Sequence, residues 1–115
     1  YCPFSSRASF EVWIVPKKHK PYFERITAAE KVAVSEALKT ALHKIYQALN
    51  NSAYNFYIHT APCDGKDYPH YHWHIEILPR TATWAGFELS TGIEVSTIQP
   101  EIAAEYLQNI DNNTE

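Results

Sequence analysis

Apolar and polar residues alternate along some stretches of this chain and recur at helical spacing along others. Phe10, Val12 and Ile14 alternate with Glu11, Trp13 and Val15 before Pro16, a period of two that predicts a strand. Thr27-Ala28-Ala29-Glu30 has the form of a capping box, in which a hydroxyl and a carboxylate satisfy the first free amides of a helix. Behind it Val34, Leu38, Ala41, Leu42, Ile45 and Leu49 keep helical spacing. A long amphipathic helix is predicted from about residue 28 to residue 50, ended by Asn50-Asn51-Ser52.

Tyr54 to His59 reads as a second strand, with Phe56 and Ile58 on one side and Tyr57 and His59 on the other. Ala61 to Pro69, containing Asp64-Gly65, has the chemistry of a turn. A third strand is expected from His70 to about Leu78, closed by Pro79. Phe87 to Leu89 and Ile93 to Val95 are short strand candidates separated by Gly92. Pro100 then suits a first helical position, and Ile102, Ala103, Tyr106, Leu107 and Ile110 continue a terminal helix. The order β-α-β-β-β-α with short later turns predicts an α+β fold with an antiparallel sheet. The long helix should pack on one face, leaving the histidines of the third strand on the other.

Composition narrows the class. At 115 residues, 45% of them hydrophobic and 14% aromatic, the chain fits a single domain, 1–115, with a real core. A formal charge of -3 gives no general attraction to nucleic acid or to anionic membranes. No apolar run approaches the roughly 18 residues of a membrane span, and no signal-peptide pattern is present. A cytoplasmic protein is expected. Cys2 and Cys63 have no recognisable spacing and are expected as free thiols. Asn50-Asn51-Ser52 and Asn112-Asn113-Thr114 match the glycosylation sequon but mean little without secretion. The chain begins at Tyr1 without Met and enters a strand-like run almost at once, which suggests a piece of something longer.

Half of the six histidines lie in His70-Tyr71-His72-Trp73-His74. On a strand, His70, His72, His74 and Glu76 would project to one face and Tyr71, Trp73, Ile75 and Ile77 to the other. Imidazoles two residues apart on a strand sit about 6.6 Å apart, close enough to converge on one metal ion or to flank one phosphate. Neutral imidazole suits zinc or ferrous iron. Glu76 is placed to fill a coordination gap or to accept a hydrogen bond from a ligand. His19 and His43 read as surface residues, and Lys17-Lys18 as a solvated loop. Trp13, Trp73 and Trp84 read as core or interface packing.

Several segments together resemble the galactose-1-phosphate uridylyltransferases. They are Phe10-Glu11-Val12-Trp13-Ile14-Val15-Pro16-Lys17-Lys18-His19, Tyr54-Asn55 through His59-Thr60-Ala61-Pro62, His72-Trp73-His74-Ile75-Glu76-Ile77-Leu78-Pro79-Arg80, and Ala85-Gly86-Phe87-Glu88. They occur in that family's order and correspond to its C-terminal half. The resemblance implies a histidine-triad-like fold paired with an N-terminal half of the same enzyme, in a protein that dimerises. The substrates it implies are a UDP-sugar and a hexose 1-phosphate. It further implies that His59, His72 and His74 bind zinc or iron and that Phe87 and Glu88 contact sugar, while His70 reads, from its place on the strand, as a group supporting those ligands or solvated. The family's nucleophile lies in a His-Pro-His motif of the N-terminal half, and no such motif occurs here, so no catalytic residue is expected in this half. Where many relatives carry a basic residue, this chain has Ala82-Thr83-Trp84.

Two other readings compete. His-x-His-x-His is also the pattern of stand-alone histidine-triad nucleotide hydrolases, in which His72 would attack an α-phosphate. Their small-residue segment before the triad is here Gly65-Lys66-Asp67-Tyr68-Pro69, which is bulkier and acidic. The third reading is a metal-stabilised binding or dimerisation module without turnover.

Overall fold

Local chemistry begins and ends the long helix. In the computed structural model, which describes residues 1–80, 90–91 and 98–110, α1 runs from Ala28 to Leu49. Thr27 Oγ1 accepts from the Glu30 amide and Glu30 Oε1 accepts from the Thr27 amide, both at 3.2 Å, so the expected capping box is complete. At the other end Asn50 and Asn51 both take positive φ, 52° and 60°. Asparagine tolerates this left-handed region better than most residues, and both of their amides return to the Tyr46 carbonyl.

Three strands form an antiparallel sheet in the order β1-β3-β2: β1 is Val12–Ile14, β2 is Tyr54–His59 and β3 is His74–Pro79. Across it Ile77 opposes both Val12 and Phe56, and Glu76 opposes both Trp13 and Tyr57. A second helix, α2, spans Pro100–Gln108 with proline in its first turn. The core lies between the sheet and the helices, built from Val12, Ile26, Ile45, Trp73, Ile75, Ile77 and Leu107. Val34, Leu38, Ala41, Leu42 and Leu49 pack against it along the α1 stripe. Phe23 meets the buried Trp73 ring edge to face at 5.1 Å. Phe56 and Ile58 share the core face by register but lie outside the cluster and remain exposed. Lys44 of α1 donates to the carbonyls of Leu107, Gln108 and Ile110, at the helix end where carbonyls run out of intrahelical amides.

The expected α+β class with a long helix on one face is therefore present. Two strand boundaries differ from expectation. The first strand is shorter because Phe10 has a φ of 63°, and the carboxylate of Glu11 turns back to accept from the amides of Arg7 and Ala8. The histidine strand begins at His74 rather than His70. Tyr71 N–H closes a turn on the Tyr68 carbonyl, and Trp73 N–H is spent on the carbonyl of Lys20. The ladder with β2 consequently opens at the His59–His74 pair. The strands expected at 87–89 and 93–95 lie outside the described residues. Cys2 and Cys63 are free, as expected. Among the described residues no helix is long and apolar enough to cross a membrane.

Candidate functional site

Antiparallel register sets the last residue of β2 against the first of β3, so His59 and His74 face each other on the side of the sheet away from the helices. Their rings stack with centroids 4.8 Å apart and planes 9° from parallel. Trp13 of β1 stacks on the opposite side of His74, at 4.5 Å and 16°. His74 is thus held between two aromatic planes. Two residues along β3, and so on the same face, lies the buried Glu76.

The hydrogen bonds of His74 define what its ring can do. Nδ1 lies 3.3 Å from the carbonyl of His72, which can only accept. Nε2 lies 3.0 Å from Glu76 Oε1. Both nitrogens thus face acceptors while a neutral imidazole carries one N–H, so one of the two contacts calls for a further proton or a bound cation. Nε2 of His59 lies 3.4 Å from the same oxygen and is buried without a hydrogen-bond partner. The other carboxylate oxygen receives Arg7 Nη2 at 2.7 Å. A buried carboxylate is costly unless paired, and Arg7 supplies the pairing charge from the loop before β1.

The ligand atoms of His59, His74 and Glu76 all lie within 4.8 Å of one another. Tetrahedral zinc with bonds near 2.1 Å needs donors about 3.4 Å apart. The two histidine-to-carboxylate spacings, 3.0 and 3.4 Å, are near that value, and the parallel rings would tilt toward each other on closing round an ion. Two imidazoles and a carboxylate are a suitable donor set for zinc or iron. The His59 nitrogen, which has no hydrogen-bond partner, is free to serve as a ligand.

The expected ligands are therefore brought together only in part. His59 and His74 meet, with Glu76 beside them on the same strand face. His72 does not join that cluster. It lies ahead of the strand, before the ladder begins at His74. Its Nε2 donates to the Pro16 carbonyl at 2.8 Å and its ring sits 5.1 Å from that of His19. His70 is exposed beside Tyr68, also outside the cluster. His19 is exposed but tied to the Pro69 carbonyl. His43 is half-buried rather than on the surface, and its Nε2 has no partner. Phe87 and Glu88 lie outside the described residues.

Arg7, Glu11 and Trp13 contribute to the site without having been singled out for it. Glu11 is almost wholly buried, and its Oε1 accepts from the Trp13 indole at 2.8 Å. The spacing of Glu11 and Trp13 on one strand face was the available signal. Beside the site, Thr60 donates to Glu24 and accepts from the Phe23 amide, anchoring the end of β2. The Glu24 carboxyl is held below its ordinary value, chiefly by its own backbone amide and then by Thr60. Cys63, hydrogen-bonded to Glu24, has its thiol pushed up by that contact.

Comparison with known proteins places this arrangement among relatives. A family model described as HIT domain matches residues 4–82. The chain is 34% identical over 110 residues to an ADP-glucose phosphorylase of Arabidopsis thaliana, covering 94% of this chain and 31% of that protein. Among solved structures, an ADP-glucose phosphorylase from Arabidopsis thaliana with bound ADP-glucose superposes with a TM-score of 0.89 at 33% identity. That match covers 96% of this chain and 36% of the other. A GalT-like protein from the same plant gives 0.90 at 32% identity, covering 97% and 38%. A uridylyltransferase gives 0.83 at 28% identity, covering 94% and 36%. The chain spans about a third of the length of these relatives.

Proposed function

Since the chain belongs to the HIT domain family, we propose that it is the C-terminal part of a GalT-like enzyme that moves a nucleotidyl group between a nucleotide sugar and a phosphate-bearing acceptor. The observation that carries this reading is coverage: nearly all of this chain matches about a third of each of several such enzymes. In the reaction, a histidine of the N-terminal half attacks the α-phosphorus and hexose 1-phosphate leaves. The acceptor phosphate then takes the nucleotidyl group from that histidine. The greater identity to an ADP-glucose phosphorylase than to a uridylyltransferase, 34% against 28%, favours ADP-glucose over the uridylyl donor expected from the sequence.

In this assignment His59, His74 and Glu76 hold zinc or iron, and the ion serves to lock the β2–β3 end of the sheet. His72 would have to release the Pro16 carbonyl to join them. Phe87 and Glu88 keep their assignment to sugar contact. The chain supplies no nucleophile of its own. It is expected to be inert alone and to turn over ADP-glucose and phosphate to ADP and glucose 1-phosphate only when joined to an N-terminal half. A nucleotidyl-histidine adduct on His72, formed with release of the amine by the chain alone with a nucleoside phosphoramidate and seen by mass spectrometry, would support the stand-alone hydrolase instead. Metal content of the purified chain, lost in His74→Ala, tests the metal assignment separately.

A further inference from the structure

We propose that Trp13 is a positioning residue for His74: its indole, pinned by a buried carboxylate, fixes the direction in which the imidazole presents Nε2. This rests on the metal assignment above only for its consequence in binding, not for its geometry. Aromatic rings 4.5 Å apart and nearly parallel are at the close end of stacking distances. An imidazole on a sheet surface would otherwise rotate about its side-chain bonds. Here the indole closes one side of the His74 ring, His59 closes the other, and rotation out of that slot would break both stacks.

The indole is itself fixed. Trp13 Nε1 donates to Glu11 Oε1 at 2.8 Å, while Oε2 of the same carboxylate accepts from the amides of Arg7 and Ala8. Glu11 is 1% exposed, so an unpaired carboxylate there would be costly. A surface-packing role for Trp13 needs no such anchor. The carboxylate also fastens the loop that delivers Arg7 to Glu76. One buried acid therefore organises two groups that meet the cluster at different residues: the ring that aligns His74 and the guanidinium that neutralises Glu76. The chain of contacts runs from Glu11 through Trp13 to His74, and only the last of these belongs to the cluster assigned to a metal.

The test reads the His74 ring directly. In the full 115-residue chain, the metal-free proton and nitrogen resonances of His74 should be displaced by the indole ring current, and Trp13→Leu should remove that displacement while leaving His70 unchanged. Trp13→Phe, with a weaker ring current, should give a smaller displacement of the same sign. Cobalt(II) serves as the binding probe. Trp13→Leu should weaken its affinity about tenfold, the scale seen when groups supporting a ligand are removed, and Trp13→Phe should recover most of the loss. Unchanged His74 signals in both variants overturn the proposal, as does unaltered cobalt affinity in Trp13→Leu. If Trp13→Leu does not fold, Trp13→Phe decides by the size of its His74 displacement. A wild-type chain that takes no cobalt overturns the metal assignment alone, because the His74 signals are read without metal.

Discussion

The two faces of this sheet are written in the same strands one residue out of phase, and they are stabilised in opposite ways. Toward the helices, Val12, Ile75 and Ile77 are buried among apolar neighbours, where burial contributes about 25 cal/mol per Å² and no orientation is required. On the other face Glu76 is as thoroughly withdrawn from water, yet it stands only because Arg7 and two imidazoles surround its oxygens. The first face tolerates any well-packed hydrophobe of similar volume. The second needs particular donors in particular directions. Burial alone does not distinguish structure from chemistry; the directionality of the partners does.

The comparison breaks if the faces fail to separate under mutation. Ile77→Ala, at a fully buried position, should cost about 2–5 kcal/mol in urea unfolding through lost burial and a residual cavity. The metal content of its folded fraction should be unchanged. Glu76→Gln should do the reverse: cobalt or zinc affinity, measured by chelator competition, should fall about 10- to 100-fold. Its stability cost should be nearer ~1 kcal/mol, because Arg7 is 53% exposed and its pairing is screened by solvent. Thr27→Ala removes the hydroxyl of the α1 cap and should cost about 1 kcal/mol without altering metal affinity, since it acts only on the helical layer. The smallest effect sharpens the contrast most. Arg7→Gln takes a competing positive charge from Glu76 and should raise metal affinity a few-fold in titration calorimetry, with a stability change of roughly 1 kcal/mol or less.

What could be read from the sequence follows how local each interaction is. The long helix was legible because Thr27, Glu30 and Asn50 act within a few residues of themselves. His59, His74 and Glu76 were legible because alternation holds wherever the ladder exists. His72 lies two residues beyond the ladder, outside the cluster of His59, His74 and Glu76: Trp73 gives its amide to Lys20, a tertiary contact no periodicity records. Phe10 bends out of an otherwise regular strand pattern for a related reason, since Glu11 turns its carboxylate to the preceding loop. Arg7 was invisible. It lies in a segment without hydrophobic period and meets Glu76 across 69 residues of chain.

Lys44 gives the helical layer a fastening that owes nothing to apolar packing. Its ammonium gathers the Leu107, Gln108 and Ile110 carbonyls with all three of its donors, so acylation of that amine would cut the lashing in one stroke. The residues from Gln108 to Ile110 should fray while the inward-facing Ala103 and Leu107 stay seated. Lys44 should also be among the slowest amines in the chain to accept an acyl label, held back by the very carbonyls it restrains.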